Sequence, residues 1–491
     1  MKTIKILLRT IIVFSLIQSC SDEFLDLKPI TNSTTGNTFN SADDIEAALV
    51  SVYNSLHNEF YIWDNILMGD VRSDNCYAGP PDDVDIWAYD QLKITPNNAR
   101  IFNNWRAFYL GIARANTVLD KIEDIADLSS TRKSEIIAEV KFLRAFYYFD
   151  LVKQYGGVPI VKKTGTADIS KTQIPRNTVE EVYAFIIEDL TAAEAGLPDN
   201  YEGGSNVNKA RATKGTANAL LAKVWAQHPS HNYEKVIEHA DRVINSPAGY
   251  QLLSTYSPLF SVGGNYNNSE AIFVSQFIKG TPQGNWGPQL FLPPSISNDS
   301  WRKYGTPSKD LINAYDSQSD LERKNQNIIF ESVQWVDEYY NVNSPSTPVP
   351  FAYKQKEANG WNSGDHIYFL RLADILLLKA EAMAHLEIGD RGRSIVNQIR
   401  NRAGLSNTTA TDNEMLNAVL LERRLELALE GHRWDDLVRN NMIIQTMNNL
   451  QELNLITNEY VNYDMNENKI LLPIPLNEID RNPELEQNPG Y

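Results

Sequence analysis

At 491 residues and 55.6 kDa, the chain is about three times the ~150 residues typical of one domain, so one large body or two to three modules fit and a small stapled fold does not. A composition of 42% hydrophobic and 22% charged residues can bury a sizeable core and excludes wholesale disorder. The 45 Lys and Arg against 62 Asp and Glu leave a net charge of -17, the wrong sign for wrapping a phosphate backbone, so nucleic-acid binding is not expected. The 23 Tyr and nine Trp are flat amphipathic rings that serve cores, interfaces and sugar platforms alike, and composition alone does not choose among these.

The opening "MKTIKILLRTIIVFSLIQSC" places Lys2, Lys5 and Arg9 ahead of an apolar run at 11–17 and then small Ser19 and Cys20, the layout of an export signal. That run is far shorter than the ~20 residues a spanning helix needs, and no later segment supplies one. Ile17-Gln18-Ser19-Cys20 resembles a bacterial lipobox with Gln18 as a loose fit; residues 1–19 then form the signal peptide, and Cys20 carries lipid as the anchor to the outer membrane. Cleavage there removes three positive charges and takes the mature chain to -20. Acylating Cys20 leaves Cys76 without a disulfide partner, so Cys76 reads as a buried small hydrophobe. The acidic Ser21-Asp22-Glu23 resembles the surface-export signal of Bacteroidota lipoproteins and points to the cell's outer face.

Residues 20–40 read as a polar tether. Helical apolar spacing follows at 41–56 and 105–125, while 68–98 between them is rich in Asp, Gly, Pro and aromatics and reads as a long surface loop. In "AEVKFLRAFYYFDLVKQYGGVPIV", Val140, Leu143, Tyr147 and Leu151 form one stripe and Phe142, Phe146 and Phe149 a second, so this helix should pack on more than one side. Residues 179–195 are a further amphipathic helix. Two helix pairs follow the same plan, "RATKGTANALLAKVWAQ" with "NYEKVIEHADRVIN", and "RLADILLLKAEAMAHLEIGD" with "RSIVNQIRNRAGL". Their alanines sit where neighbouring helices approach, as in degenerate tetratricopeptide repeats, although the strict signature is incomplete. The organisation expected is a helical part at 41–253 that includes the early loop, a loop-rich lobe at 254–364 holding four of the nine tryptophans, and C-terminal helices at 365–491.

Several tempting motifs have plainer readings. Glu422, Glu426 and Glu430 at i, i+4 and i+8 invite a catalytic-carboxylate assignment, but Arg423 and Arg433 lie three residues from Glu426 and Glu430, with Arg424 close by, and salt-bridged helix faces and interhelix contacts account for the pattern. His228 and His231 flank Pro229 without a Cys or HExxH to complete a zinc site. No P-loop, GxGxxG or GxSxG occurs, and no cofactor is expected. Asp82, Asp83 and Asp85 are a candidate structural calcium cluster, although the remaining oxygen ligands are not evident and a solvated cluster is the commoner case.

Taken in order, "SCSDEFLDLKP", "FLRAFYYFDLVKQYGGVPIV", "RLADILLLKAEA", "NQIRNRAGL", "LLERRLELALEGHRWDDLVR" and the ending "LLPIPLNEIDRNPELEQNPGY" resemble the SusD/RagB family of Bacteroidota surface lipoproteins across essentially the whole chain. The resemblance implies an all-α superhelix of about four tetratricopeptide-like pairs carrying a loop-rich second lobe. It also implies a non-catalytic role: capture of an oligo- or polysaccharide and delivery to a SusC-like TonB-dependent transporter, over which the lipoprotein sits as a lid. Ligand contacts in the family gather in the early loop and the loop-rich lobe, here "GDVRSDNCYAGPPDDVDIWAYD" and "GNWGPQLFLPPSISNDSWRKY". By region, Trp87 and Trp286 are the expected stacking platforms, and Asp70, Arg72, Asp74 and Asn75 the hydrogen-bonding group; Tyr77, Trp301, Tyr304 and Trp361 stand behind them. Asp70 and Arg72 could equally be an internal ion pair. The alternatives are a surface glycosidase using Asp70 and Asp74, or a family member that takes peptides or glycoprotein chains. A basic patch for anionic ligands would draw on Arg72, Arg100, Arg302 and Lys303.

Overall fold

The computed structural model describes residues 39–163, 173–261, 267–342 and 346–491; the expected signal peptide, Cys20 and nearly all of the tether lie outside the described residues. Nine helices of twelve residues or more carry the described chain: α1 (Ala42–Asn54), α2 (Ala99–Lys121), α3 (Ser130–Tyr155), α4 (Val179–Gly196), α5 (Lys214–Gln227), α6 (Tyr233–Ile244), α7 (Leu372–His385), α8 (Gly389–Arg402) and α9 (Asp412–Leu427). Their starts follow local chemistry. Ser41 caps α1 and Thr178 caps α4, and in each the third helical residue, Asp44 or Glu181, bonds back to the cap. Among the described residues no helix is long and apolar enough to cross a membrane.

The helices associate as successive pairs, α1 with α2, α3 with α4, α5 with α6 and α7 with α8, while α9 closes against α7 and α8. Both stripes of α3 are buried, with α2 and α4 packed against it. Small residues set the closest approach: a Cβ on Gly392 of α8 would stand 3.2 Å from Ala380 Cα of α7. The fold is thus the expected all-α superhelix. Strands are short and antiparallel: β1 (Cys76–Tyr77) pairs with β3 (Thr306–Pro307), β2 (Ala271–Ser275) with β6 (Ile367–Arg371), β4 (Ile328–Glu331) with β5 (Val349–Ala352), and β7 (Leu453–Asn454) with β8 (Glu459–Tyr460). The β2–β6 pair joins the two ends of the loop-rich stretch at the foot of α7, so both ends of that stretch leave from one place.

The stretch 68–98 corrects its reading as a surface loop. Residues 66–80 are buried, and a short helix occupies Val84–Asp90. Cys76 is buried as expected, and burial raises its thiol well above the ordinary range.

The three glutamates of the α9 region are ion-paired inside the protein, but with partners from other segments. Arg371 bonds Glu426 at 2.7 Å, Glu270 at 3.0 Å and Glu430 at 2.7 Å. Arg402 also bonds Glu270 and Glu426, Arg323 bonds Glu422 at 2.7 Å and Glu426 at 3.3 Å, and Lys354 bonds Glu430. Arg423 turns instead to Asp374 and Asp436, and Arg424 and Arg433 to Asp74. Asp374 and Glu381, on the face of α7 opposite its apolar stripe, are buried too, because Arg423 and Arg439 meet them there.

Removing one partner of a buried pair costs about 3–5 kcal/mol because the other charge stays buried. Glu426→Ala strips a carboxylate shared by Arg323, Arg371 and Arg402 and should lower the unfolding free energy by at least that much in urea melts; a loss under about 1 kcal/mol would refute the hub. Burial works to raise the Glu430 pKa, but Arg371 and Lys354 outweigh it and hold the group at about 2 against an ordinary 4.5. Its contribution is therefore present in full above pH 4.5 and is lost as pH falls towards 2, so Glu430→Gln should flatten that acid limb of the stability curve.

Candidate functional site

Two segments of the loop-rich lobe bring aromatic rings together at its surface. In the first, residues 301–305 are held down by backbone bonds from Tyr304 N to Leu290 O at 3.0 Å and from Gly305 N to Ala78 O at 3.1 Å, beside the β1–β3 pair. In the second, Asn359, Gly360 and Trp361 take φ of 47°, 59° and 73° in succession, a left-handed run that is unusual for a bulky side chain. Asn285 and Ser363 anchor it by exchanging backbone bonds of 2.8 and 3.0 Å, and Gly284 lies so close to Asn362 that a Cβ would stand 2.6 Å from its Cα. The outcome is a ring pair: Trp301 and Trp361 have centroids 6.4 Å apart with planes inclined by 17°. Trp361 is 43% exposed, and Trp301 and Tyr304 are half-buried.

The pair has a firm underside. Lys303 Nζ sits 3.7 Å from the Trp301 ring centroid and is itself buried; burial lowers its pKa to about 8, with Asp299 opposing that fall. Trp63, from a buried turn at Phe60–Asp64, meets Tyr304 at 5.4 Å, and Arg100 lies 4.6 Å over the Trp63 ring. Beside Trp301 and Tyr304 runs a groove of about 380 Å³, open to solvent and walled by Pro80, Pro81, Asp82, Arg302, Val336 and Ile456. Flat apolar ring faces flanked by a groove with polar walls suit a ligand that has both C–H faces and hydroxyls.

Burial corrects five of the expected ligand contacts. Asp70 accepts bonds from Asn75 Nδ2 at 2.8 Å, Leu429 N at 3.1 Å and Gly431 N at 2.7 Å. Arg72 donates to the carbonyls of Lys469 and Ile470 at 2.6 and 3.0 Å and lies over the Trp434 ring, so it is not the ion partner of Asp70. Asp74 is clamped by Arg433 at 2.7 and 2.8 Å; burial alone would raise its pKa, but Arg424 and Arg433 pull it far below the carboxylate range. Asn75 accepts from Arg424 Nε at 2.9 Å, and Tyr77 stacks on Tyr339 at 3.7 Å. These five side chains are at most 2% exposed and build the wall behind the site.

Trp87, on the short helix Val84–Asp90, and Trp286 are half-buried and pack against the main core, as Trp301 also does; the ring pair at the surface is Trp301 with Trp361. The four cations considered as a basic patch are each engaged inside: Arg72 on carbonyls, Arg100 on Glu59 and Asp64, Arg302 on Asp337 and Glu338, and Lys303 on Gln289 O. Of the candidate calcium group, Asp83 caps its helix through Ile86 N at 3.1 Å, and Asp85 accepts from Ala99 N at 3.1 Å at the start of α2. Among the described residues no group of three or more His, Cys, Asp or Glu is arranged to hold a metal ion. Trp63 is the supporting ring that sequence reasoning missed; its neighbours Phe60 and Tyr61 make it look like plain core, and nothing local ties it to residue 304.

Comparison with known proteins finds two family profiles on this chain: one described as "Starch-binding associating with outer membrane" over residues 23–225, and one described as "SusD family" over residues 280–491. A SusD-like protein of Bacteroides ovatus is 26% identical, with 86% of this chain and 80% of that relative covered. The starch-binding protein SusD of Bacteroides thetaiotaomicron is 23% identical over 86% of this chain and 84% of its own length. Among solved structures, a laminarin-binding SusD-like protein superposes with a TM-score of 0.76 at 25% identity, covering 92% of this chain and all of that one.

The left-handed turn gives a direct test of how Trp361 is held. Gly284→Ala places a methyl group 2.6 Å from Asn362 Cα, backbone that cannot yield cheaply, so the turn should shift and the near-ultraviolet dichroism of the tryptophans should change with little loss of helix signal. An unaltered tryptophan spectrum would show that the turn is held elsewhere.

Proposed function

Because the chain belongs to the SusD/RagB family, we propose that it is a lipid-anchored outer-membrane protein that captures a glycan at the cell surface, without cleaving it, and hands it to a SusC-like TonB-dependent transporter beneath it. The observation that carries this reading is the exposed Trp361 lying nearly parallel to Trp301 beside an open groove. Such rings stack on the C–H faces of sugar rings, while groove groups such as Asp82 and the Tyr304 hydroxyl can meet hydroxyls.

Two features narrow the reading. The cations near the rings are committed to internal partners, and Asp82 and Asp83 lie close enough to Tyr304 to raise its pKa further after burial has done so, which favours uncharged chains over uronate-rich ones. The carboxylates that a glycosidase would have used, Asp70 and Asp74, are buried and fully engaged, which leaves the surface-enzyme alternative without its candidate pair. Capture of a starch or a laminarin-like glucan is the first case to try, from the descriptions of the family profile and the structural relative. Transfer would then need only a lid that opens and closes over the transporter, with energy supplied from the periplasmic side.

The test is a panel of native gels containing starch, laminarin, mannan, xylan, pectin and alginate, run with the mature chain begun at Ser21. One neutral polymer should retard the protein, no reducing ends should appear, and Trp301→Ala and Trp361→Ala should each weaken retardation about tenfold. Released reducing ends would overturn the binding-only reading, and a folded protein silent across the panel would move the cargo to peptides or glycoprotein chains.

A further inference from the structure

Both rings of the surface pair are tied to one buried residue, Gln289, in the short helix Pro288–Phe291. It is 1% exposed and cannot itself be reached by a ligand. Its amide oxygen accepts the backbone N–H of Trp361 at 3.4 Å, at the end of the left-handed run. Its amide nitrogen donates to Ser297 O at 2.8 Å and to the Asp299 carboxylate at 2.5 Å, and its backbone carbonyl accepts Lys303 Nζ at 3.0 Å. The last two links lead on to Trp301. Lys303 Nζ lies under that ring, and the Asp299 carboxylate, two residues before Trp301, is held below its usual range first by the Gln289 amide.

We propose that Gln289 is a positioning residue that registers Trp301 against Trp361, so that one amide group fixes the ring spacing and with it the choice among glycans. This rests on the glycan-capture reading above. The physical case is that neither ring is held in this relation by its own segment. Trp361 stands at a strained backbone position, and Trp301 follows Asn298, whose φ is 58°. A planar amide with one acceptor and two donors can serve the Trp361 N–H and the 297–299 turn together; a hydroxyl lacks the reach and an aliphatic chain lacks the bonds. Losing it also leaves the buried Ser297 carbonyl without its mate, so the two turns should relax apart rather than keep their places.

The experiment uses the mature chain with Gln289→Leu and Gln289→Glu, and Asn218→Leu on α5 as a buried-amide control remote from the rings. Near-ultraviolet dichroism reads the tryptophan pair without ligand, retardation by the retained polymer reads affinity, and thermal melts read stability. Expected are an altered tryptophan spectrum and a loss of affinity of about tenfold or more in Gln289→Leu, with a changed order of preference among the neutral polymers. Asn218→Leu should lower the melting temperature and leave both other readouts alone. Gln289→Glu opposes Asp299 while charged and can donate a proton to it when neutral, so its affinity should recover as the pH is lowered from 7 towards about 5; this keeps the test alive if the leucine variant does not fold.

A Gln289→Leu protein with unchanged spectrum and affinity overturns the proposal. So does a Gln289→Glu protein whose affinity follows its melting temperature and not the pH. If the spectrum changes in Gln289→Leu while the parent protein binds no polymer, the registering role stands and the glycan reading fails.

Discussion

The whole architecture depends on keeping a set of buried charges paired. An unpaired ion in the interior costs several kcal/mol, and here α9 and the residues after it present Glu422, Arg423, Arg424, Glu426, Glu430, Arg433 and Asp436 to the inside within fifteen positions. Each needs an opposite charge from another segment, and those segments are the ones whose relative placement defines the fold. Glu426 draws in Arg323 from the loop-rich lobe, Arg371 from the junction of β6 and α7, and Arg402 from the end of α8. Apolar contacts would give comparable stability to such an array, but they tolerate sliding. Guanidinium forks on carboxylates do not, and they fix the angle at which the loop-rich lobe leaves the helices.

That fixed angle is what makes a surface ring pair usable. Trp301 and Trp361 come from segments sixty residues apart, and two such rings would drift unless each were referred to a fixed frame. Trp301 is referred to the wall formed by residues 66–80, which sits between the Asp74 clamp on Arg433 and the β1–β3 pair that carries residues 301–307, while the Trp361 turn is referred to Asn285 and Gln289. Asp70 and Asp74 thus act on the site from behind. Replacing them would move the rings without touching a ligand.

This also explains which features could be read from the sequence and which could not. Helix periodicity is local, so α3 with its two stripes and the pairs α5–α6 and α7–α8 were legible within a few residues of their ends. The stretch that holds the Trp301–Trp361 pair was legible too, as the Gly-, Pro- and Asn-rich part of the chain that carries four tryptophans. The roles of individual residues were not. Asp74 and its clamp Arg433 are 359 positions apart, and no window along the chain connects them. The glutamates were rightly read as structural, but helix geometry turns successive side chains by about 100°, so Arg424, two residues from both Glu422 and Glu426, points away from them, while Arg423, three residues from Glu426, is taken by Asp374 and Asp436 from other segments. Trp87 and Trp286 offered the same ring chemistry as Trp361, and only packing separates a ring that meets the core from one that meets water.

Trp361 carries two unfavourable features at once. Its backbone lies in the left-handed region, which costs an L-residue about 1–2 kcal/mol, and 43% of its surface faces water. Among the described residues nothing covers the exposed face, and the bonds around it, from Asn285, Asn359 and Gln289, hold the ring out instead of letting it fold back. The return has to come from outside, through a surface that covers the indole. A shallow platform of this kind captures one sugar weakly, because little of a small ring is buried and its hydroxyls stay hydrated. A polymer presents the same face many times over, and each dissociation is followed by rebinding at a neighbouring unit, so a long chain is retained where a short one escapes. The physics of the exposed ring therefore favours chain length over single-site affinity, which is what the capture role proposed above would require.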